Sequence, residues 1–408
     1  MINRLILTPS FYVLSTWFVT LLAYIAEPII LLPLSFNAIL IILYVMAVSF
    51  VSAVLFSKSY AIAMKYNKPE FQVFPTLFAF VMFSVLGVAG LKAYFDYATD
   101  AVGGWGNYLY LVQYNPLAIR ALEVSELGGA IQLSYLSWIA IGIGVHLIRK
   151  HNVHWAIKLF VLLLVFTEFF LNMAFVDRTR PVWLIVVVGI SFIFTLKDSI
   201  RGMKVFLFAG PILVIAIFIS FSIVTNKVTA GGTTDTIIQY FLGGFAYFNF
   251  ILDNIAGFEY EPVRIFYPIS KVLSALGVIG EVPSQVLDFY QVPFATNVGT
   301  FAEPFFRDGG FAFLIVGIPI VLFSIDWLGL IAVKSRSILG VFLYSNLIFT
   351  NLIAFFSPKF VSTPIYLFII VFFLSRIQRT GNSNRRLERR SPQFGRQSSR
   401  PDFKKRSN

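Results

Sequence analysis

The chain has no cysteine, only three histidines, and charged side chains at just 13% of its 408 residues. Without cysteine there are no disulfides, thiolate nucleophiles or thiolate metal sites. All three histidines, His146, His151 and His154, fall in one short basic stretch with Arg149 and Lys150. The H-x-x-H spacing of His151 and His154 supplies two ligands beside two cations, which reads as a solvated basic loop rather than a metal site. No phosphate-binding glycine loop, Ser-His-Asp set or H-E-x-x-H helix is present. Chemistry on this chain therefore falls to arginine, carboxylates and tyrosine, and no metal or cofactor is expected.

What the chain has is apolar length. With 58% hydrophobic residues and 46 phenylalanines, it lies far outside the range of soluble domains. A hydrocarbon core of about 30 Å needs roughly 20 apolar residues per helix. Ten stretches qualify, two of them short. They are Tyr12 to Leu32, Ala38 to Leu55, Phe74 to Leu91, Ile131 to Leu147 and Trp155 to Phe175, then Val182 to Leu196, Val205 to Val224, Phe311 to Leu330, Ile338 to Phe356 and Val361 to Leu374. Barrel-type strand alternation is absent, so the sequence predicts an all-α polytopic membrane protein of about ten transmembrane helices. The first apolar run is too long for a cleavable leader and reads as a retained helix.

Charge asymmetry orients the bundle. Placing the N-terminus inside puts 23 of the 32 Lys and Arg residues on inner segments and leaves nine outside, so both termini are expected in the cytoplasm. The acidic residues lean outward, among them Asp177, Glu303 and Asp308. Two outer loops are large, 95–128 between helices 3 and 4 and 225–310 between helices 7 and 8. A loop of the second length usually carries function or its own helices. Thr236 to Asn254 and Ile265 to Gly280 are apolar and aromatic, and read as interfacial or re-entrant helices. Residues 1–376 form the membrane domain. Residues 377–408 form a basic tail too polar to bury a core and expected to be disordered. Its positive charge suits anionic inner-leaflet lipids better than nucleic acid.

Several outer arginines demand a reason, because topology alone would put them inside. Arg178 and Arg180 sit in VDRTRPVWLI, Arg120 in NPLAIRALEVSE, Arg264 in YEPVRIFYP and Arg307 in TNVGTFAEPFFRDGGF. Guanidinium forks match phosphate bidentately and stay charged in a low-dielectric site. A lipid diphosphate at headgroup depth fits that inventory, and preorganised arginines can stabilise its charge as it leaves. The structural alternative is that Arg178 and Arg180 pair with Asp177 or Glu168 and brace the bundle. Glu303 and Asp308 are candidate general bases. Asp308 serves equally as a cap for the eighth helix. Within the spans, Glu27 and Glu168 are the ionisable residues expected in mid-helix.

Three segments, DRTRPVWLIVVVG, YFLGGFAYFNFILDN and TNVGTFAEPFFRDGG, resemble the bacterial oligosaccharide repeat-unit polymerases of the Wzy type, the O-antigen and capsule polymerases. The spacing Arg178-x10-Gly189 is similar to an R-x10-G pattern of some members. Arg307 comes later than the arginine many members place after the N-V-x-T segment. The resemblance implies a GT-C-like glycosyltransferase in the bacterial cytoplasmic membrane. Its donor and acceptor would be polyprenyl-diphosphate-linked oligosaccharides on the outer face, and its surroundings membrane lipids and a chain-length regulator protein. It further implies that Arg178, Arg180, Arg120, Arg264 and Arg307 grip diphosphate, that Glu303 or Asp308 is the base, and that Tyr240, Gly243, Gly244 and Tyr247 shape the acceptor side. Two rivals share parts of this layout. An O-antigen-type ligase would carry an outer-loop histidine that is missing here, and a lipid-linked oligosaccharide flippase would bury charges along a central path.

Overall fold

The computed structural model describes residues 2–26, 33–66, 73–115, 128–149, 153–174, 179–196, 198–224, 232–254, 263–283, 290–291, 295–296 and 298–390. Among the described residues the chain is all-α apart from one small hairpin. Its helices are α1 (Ile2–Leu5), α2 (Pro9–Ala26), α3 (Phe36–Tyr66), α4 (Val73–Ala101), α5 (Trp105–Tyr114), α6 (Gly128–Ile148) and α7 (Trp155–Ala174). They continue with α8 (Thr179–Ile193), α9 (Ser199–Val224), α10 (Gly232–Asp253), α11 (Tyr267–Ala275), α12 (Glu303–Lys334), α13 (Ile338–Leu352) and α14 (Thr363–Arg390). Strands β1 (Tyr290–Gln291) and β2 (Ala295–Thr296) pair antiparallel before α12.

Each of the ten apolar stretches overlaps a helix, and residues 27–32 of the first lie outside the described residues. Among the described residues, α2, α3, α4, α7 and α12 contain five segments long and apolar enough to cross a membrane. Shorter apolar helices, including α6, α8 and α13, pack between them. Helices α4 and α6 meet closely because Gly87 and Gly90 leave room. A Cβ at Gly87 would lie 2.2 Å from the Ser137 backbone nitrogen, and one at Gly90 would lie 2.7 Å from that of Ser134. Small residues at such crossings are what lets helices associate in an apolar surround.

Helix α13 is the axis of the fold, with nearly its whole surface buried. Trp183 of α8 stacks on Phe349 of α13 at 4.9 Å, and its indole N–H donates to Asn346 Oδ1 at 2.8 Å. Trp138 of α6 meets Trp183 edge-on. A cross-helix hydrogen bond of this kind ties polar groups together where water is scarce.

Several boundaries differ from the sequence expectation, among them the eighth expected span, which starts at Glu303 inside the expected 225–310 loop rather than at Phe311. Helix α4 runs to Ala101, past the expected Leu91, because Tyr94, Phe95 and Ala98 form a small separate core with Tyr108 of α5. Trp105 stacks on Phe95 at 5.5 Å and closes that core. Helix α11 is shorter than the apolar run around it. Gly277, with φ of 71°, ends it: the Gly277 N–H bonds the Ser274 carbonyl and the Val278 N–H the Leu273 carbonyl. That pair of bonds is a Schellman closure, and glycine adopts the left-handed turn it requires. Helix α14 continues to Arg390, which corrects the expected disorder for 377–390, and 391–408 lie outside the described residues.

Candidate functional site

The sequence EPFFRDGGF opens α12. Glu303 and Arg307 are one turn apart, a spacing that puts both on one helix face. They form an ion pair, and both are buried, at 2% and 6% exposure. Pro304 occupies the first turn, where a missing N–H is no loss. Gly309 and Gly310 then break the helix, Gly310 taking φ of 64° and ψ of −153°, a conformation open only to glycine. The kink separates the turn carrying Glu303 and Arg307 from the long apolar run that follows, so the turn takes its own tilt.

Aromatic packing fixes that turn. Phe305 stacks on Phe360 at 5.5 Å, and Phe301 meets the same ring at 4.7 Å. The Phe301 N–H donates to the Ala354 carbonyl at 2.7 Å, tying the turn before α12 to the turn that follows α13. Phe306 contacts Phe248 of α10 edge-on.

Helix α10 brings the third member. Gly243 and Gly244 are buried, and a Cβ on Gly244 would come within 2.4 Å of the Phe355 carbonyl oxygen. The absent side chain lets α10 seat against the segment after α13. One turn later, Tyr247 is fully buried, and Arg307 Nη2 donates to its hydroxyl at 2.7 Å. Asn249 secures the helix from the other side, accepting from the Ser35 N–H at 2.7 Å and donating to the Pro33 carbonyl. Tyr290 of β1 lies 5.6 Å from the Tyr247 ring and 5.3 Å from Phe250, forming an aromatic cover beside the chain Glu303–Arg307–Tyr247.

Asp308 does something else. Its two carboxylate oxygens accept the backbone N–H groups of Arg264 at 2.8 Å and Ile265 at 2.9 Å. It caps the segment leading into α11 rather than α12, its own helix. The residue before, Val263, has φ of 105°, a left-handed conformation disfavoured for a β-branched side chain. Asp308 thus holds a strained turn that keeps Arg264 buried beside α12.

Arg180 belongs to a different cluster. It lies in the first turn of α8, with its guanidinium 5.7 Å from the centre of the Tyr135 ring of α6. Its charge acts on Glu168 of α7, which is fully buried and accepts from the Trp138 indole N–H and from Asn172. The bracing reading of the arginine turn and its diphosphate reading meet at this one residue. Arg120 and Arg178 lie outside the described residues, and so does the Tyr240 side chain, although its backbone is part of α10.

The structure therefore assembles Gly243, Gly244, Tyr247, Arg264, Glu303, Arg307 and Asp308 at one end of the bundle and places Arg180 in a second cluster. Sequence reasoning missed Tyr290, which is joined to Tyr247 only through the hairpin. It also missed Asp326. This residue sits within the apolar run of α12, is fully buried, and accepts from the Ser10 N–H at 3.0 Å, the Ser10 hydroxyl and the Ser52 hydroxyl at 2.6 Å. The expectation that Glu27 and Glu168 are the ionisable residues of the spans is corrected by it, and Glu27 itself lies outside the described residues. The signal was present as an acid among apolar residues in FSIDWLG, with serines available on two other helices. Among the described residues no three His, Asp or Glu side chains gather as a metal-ligand set.

The chain matches no family model, and no characterised protein or solved structure matches it.

Proposed function

We propose that this chain is a membrane glycosyltransferase that polymerises polyprenyl-diphosphate-linked oligosaccharide repeat units on the outer face of the bacterial cytoplasmic membrane, with a GT-C-like arrangement of about ten spans. The observation that carries the reading is the buried chain Glu303–Arg307–Tyr247 at the end of α12, on the side that charge asymmetry assigns to the exterior. Glu303 and Tyr247 hold the Arg307 guanidinium from two directions, so its orientation is set before a substrate arrives. A fork held in this way stabilises charge on a leaving diphosphate without reorganising during the reaction.

The chemistry balances simply. An acceptor hydroxyl of one lipid-linked unit forms a bond to the anomeric carbon of the other. The bond from that carbon to the diphosphate oxygen breaks, and the electron pair leaves with the diphosphate. The hydroxyl proton passes to a base, for which Glu303 is better placed than Asp308, whose oxygens already hold two backbone donors. Phe250 and Tyr290 offer aromatic faces on which sugar rings stack, Tyr247 lies buried beneath them, and Gly243 and Gly244 fix the helix that carries Tyr247 and Phe250. The partners in this reading are the two lipid-linked oligosaccharides, the surrounding lipids and a chain-length regulator; it needs no metal, cofactor or nucleic acid.

Besides Glu168 of α7, Asp326 speaks for a flippase, since a transporter buries charge within its spans. Its carboxylate is filled by three donors from α2 and α3, which makes it a pin between helices. The test is the length distribution of surface glycan in a deletion strain carrying the intact gene, Arg307→Ala, or Arg178→Ala with Arg180→Ala, at equal membrane expression. Polymerisation predicts single repeat units in the deletion and in Arg307→Ala, with ladders restored by the intact gene. Loss of all surface glycan in the deletion would replace the reading with flippase or ligase.

A further inference from the structure

Helix α5, WGNYLYLVQY, carries no charged residue, although it lies in the outer loop that joins α4 to α6. Its residues sort into two faces. Tyr108, Leu111 and Val112, three and four positions apart, share one side of the helix and join the small core of Leu91, Tyr94, Phe95 and Ala98 on α4. Leu171 of α7 packs on the same core. The other side is open: Trp105, Leu109, Tyr110 and Tyr114 are each more than half exposed. The rings of Tyr110 and Tyr114 lie 4.8 Å apart along it.

Two spans fix the depth at which this face lies. On α4 the apolar run from Val73 ends at Leu91, and the exposed ion pair of Lys92 with Asp96 follows. That run is roughly 27 Å long at 1.5 Å per residue, close to the hydrocarbon thickness of about 30 Å. On α7, which meets α4 through Phe80 and Phe160, the apolar span Trp155–Asn172 ends one residue beyond Leu171. Leu91 and Leu171 therefore mark the outer limits of two neighbouring spans, and α5 packs where both end. Gly103 and Gly104, with φ of 81° and 116°, reverse the chain after α4, a left-handed pair that glycine adopts without a steric cost. Helix α5 then folds back toward the membrane, since Trp105 and Tyr108 both contact Phe95. A charge-free helix at this depth meets the layer where hydrocarbon gives way to headgroups.

We propose that the open face of α5 docks into the interfacial layer of the outer leaflet, with Trp105, Leu109, Tyr110 and Tyr114 among the phospholipid glycerol and ester groups. Tryptophan and tyrosine pair an apolar ring with one polar edge, which suits them to that layer. In bulk water the same face would be an apolar patch with no charged residue to keep it solvated. Phe170, next to Leu171 on α7, is exposed as well, so the apolar flank of the bundle continues up to the level of α5. The docking is independent of the glycan reading and of the turn that carries Glu303 and Arg307. It holds the outer ends of α4 and α7 at a fixed depth.

The chain has no cysteine, so a single spin label can be placed on otherwise intact protein. The variants are Leu109→Cys, Tyr110→Cys and Tyr114→Cys, with Val85→Cys on the exposed flank of α4 as the acyl-chain reference and Asp100→Cys at the end of α4 as the aqueous reference. Each full chain is reconstituted into nanodiscs of phosphatidylethanolamine and phosphatidylglycerol, and collision with oxygen and with a water-soluble nickel chelate is read by power saturation. The expected oxygen-to-nickel collision ratio at the three α5 positions lies between the two references and about threefold or more above Asp100→Cys. Dibrominated lipid is also expected to quench the fluorescence of Trp105, taken as the difference between the intact chain and Trp105→Phe. That second readout needs no cysteine and holds if a labelled variant fails to fold.

A ratio equal to that of Asp100→Cys at all three positions, with no quenching of Trp105, would place α5 in water and overturn the docking. Low collision with both reagents would overturn it in favour of protein cover, by a second copy of the chain. Leu109→Glu separates docking from mere proximity to lipid. A charge on the open face is expected to lower the quenching of Trp105 about twofold or more while the melting temperature holds, because Leu109 lies outside the core that seats α5. Unchanged quenching in that variant would show that lipid reaches Trp105 without the face being docked.

Discussion

Helix α12 carries two buried carboxylates, Glu303 in its first turn and Asp326 toward its other end, and their partners are of opposite kinds. Asp326 is held by neutral donors from two other helices: the backbone N–H and hydroxyl of Ser10 on α2 and the hydroxyl of Ser52 on α3. Tyr60 of α3 reinforces the same place, donating to the Asp326 backbone carbonyl at 2.8 Å. Glu303 is held by a cation on its own helix, and that cation reaches on to Tyr247. Burial alone therefore does not distinguish a functional acid from a structural one. In the proposed function the partner does: hydroxyls and amides consume an acid's capacity to accept, whereas an arginine holds its donors in a fixed fork of the geometry that suits a phosphate. The first arrangement joins α2, α3 and α12, and the second prepares a charge.

The most damaging way to break the comparison is at the cation. Arg307→Ala is expected to lower polymer formation at least a hundredfold, read as collapse of the glycan ladder to single units. It also strands Glu303, and breaking a buried pair on one side costs about 3–5 kcal/mol. The double variant Glu303→Gln with Arg307→Gln separates the two effects. It removes the stranded charge and is expected to recover most of the melting temperature while the ladder stays lost. A ladder that returned with the stability would show that the pair is only a brace.

Asp326→Ala comes next and acts on the other side of the comparison. It leaves the Ser10 N–H and two hydroxyls without their acceptor, at about 1–3 kcal/mol for each donor that finds no new partner. The expected outcome is a lower melting temperature and a smaller yield in membranes, with ladder length per folded molecule unchanged. A ladder shortened at equal folded protein would make Asp326 part of the chemistry and revive a transport role for the α12 interior.

A smaller effect is expected at Gly244. Its Cβ position lies against the Phe355 carbonyl, which is backbone and gives way little. Gly244→Ala should push α10 off the end of α13 and lengthen the reach from Arg307 to Tyr247. The ladder is expected to shorten roughly tenfold in yield at a modest loss of stability. An unchanged ladder would mean that the site tolerates a displaced α10.

How far the sequence revealed these regions depended on whether the relevant distance was local. The helices were legible because twenty-residue apolar runs admit few other structures. Glu303 and Arg307 were legible as charged neighbours within a few residues, as was the aromatic run around Tyr247, but they fell in the expected outer loop, and their pairing became visible only with a helix that starts at Glu303. What could not be read were relations across hundreds of residues. Ser10 and Asp326 are 316 positions apart, and only the parallel packing of α3 and α12, with α2 beside them, brings their donors to one carboxylate. Asp308 was ambiguous in sequence because an acid near a helix start reads as a cap. It is a cap, but of the distant segment at Arg264 and Ile265. The arginine turn was visible as an anomaly of charge, while the company Arg180 keeps with Tyr135 and Glu168 depended on how α6, α7 and α8 meet.

The finest test of the comparison is Tyr247→Phe, which leaves the ion pair in place and removes only the hydroxyl that accepts from Arg307 Nη2 at 2.7 Å. A hydrogen bond to a charged group is worth about 1.5–3 kcal/mol, and the ion pair with Glu303 would still anchor the guanidinium. If the hydroxyl's task is to hold the fork in register, the loss appears in the rate of chain extension rather than in donor binding. The expected result is a ladder of normal maximum length that takes longer to build, with extension slowed about tenfold. Tyr247 packs against Tyr290 with its ring, which phenylalanine preserves, so melting temperature should shift only slightly. A large fall in melting temperature with an unchanged rate would place Tyr247 beside Asp326, among the residues that hold helices together.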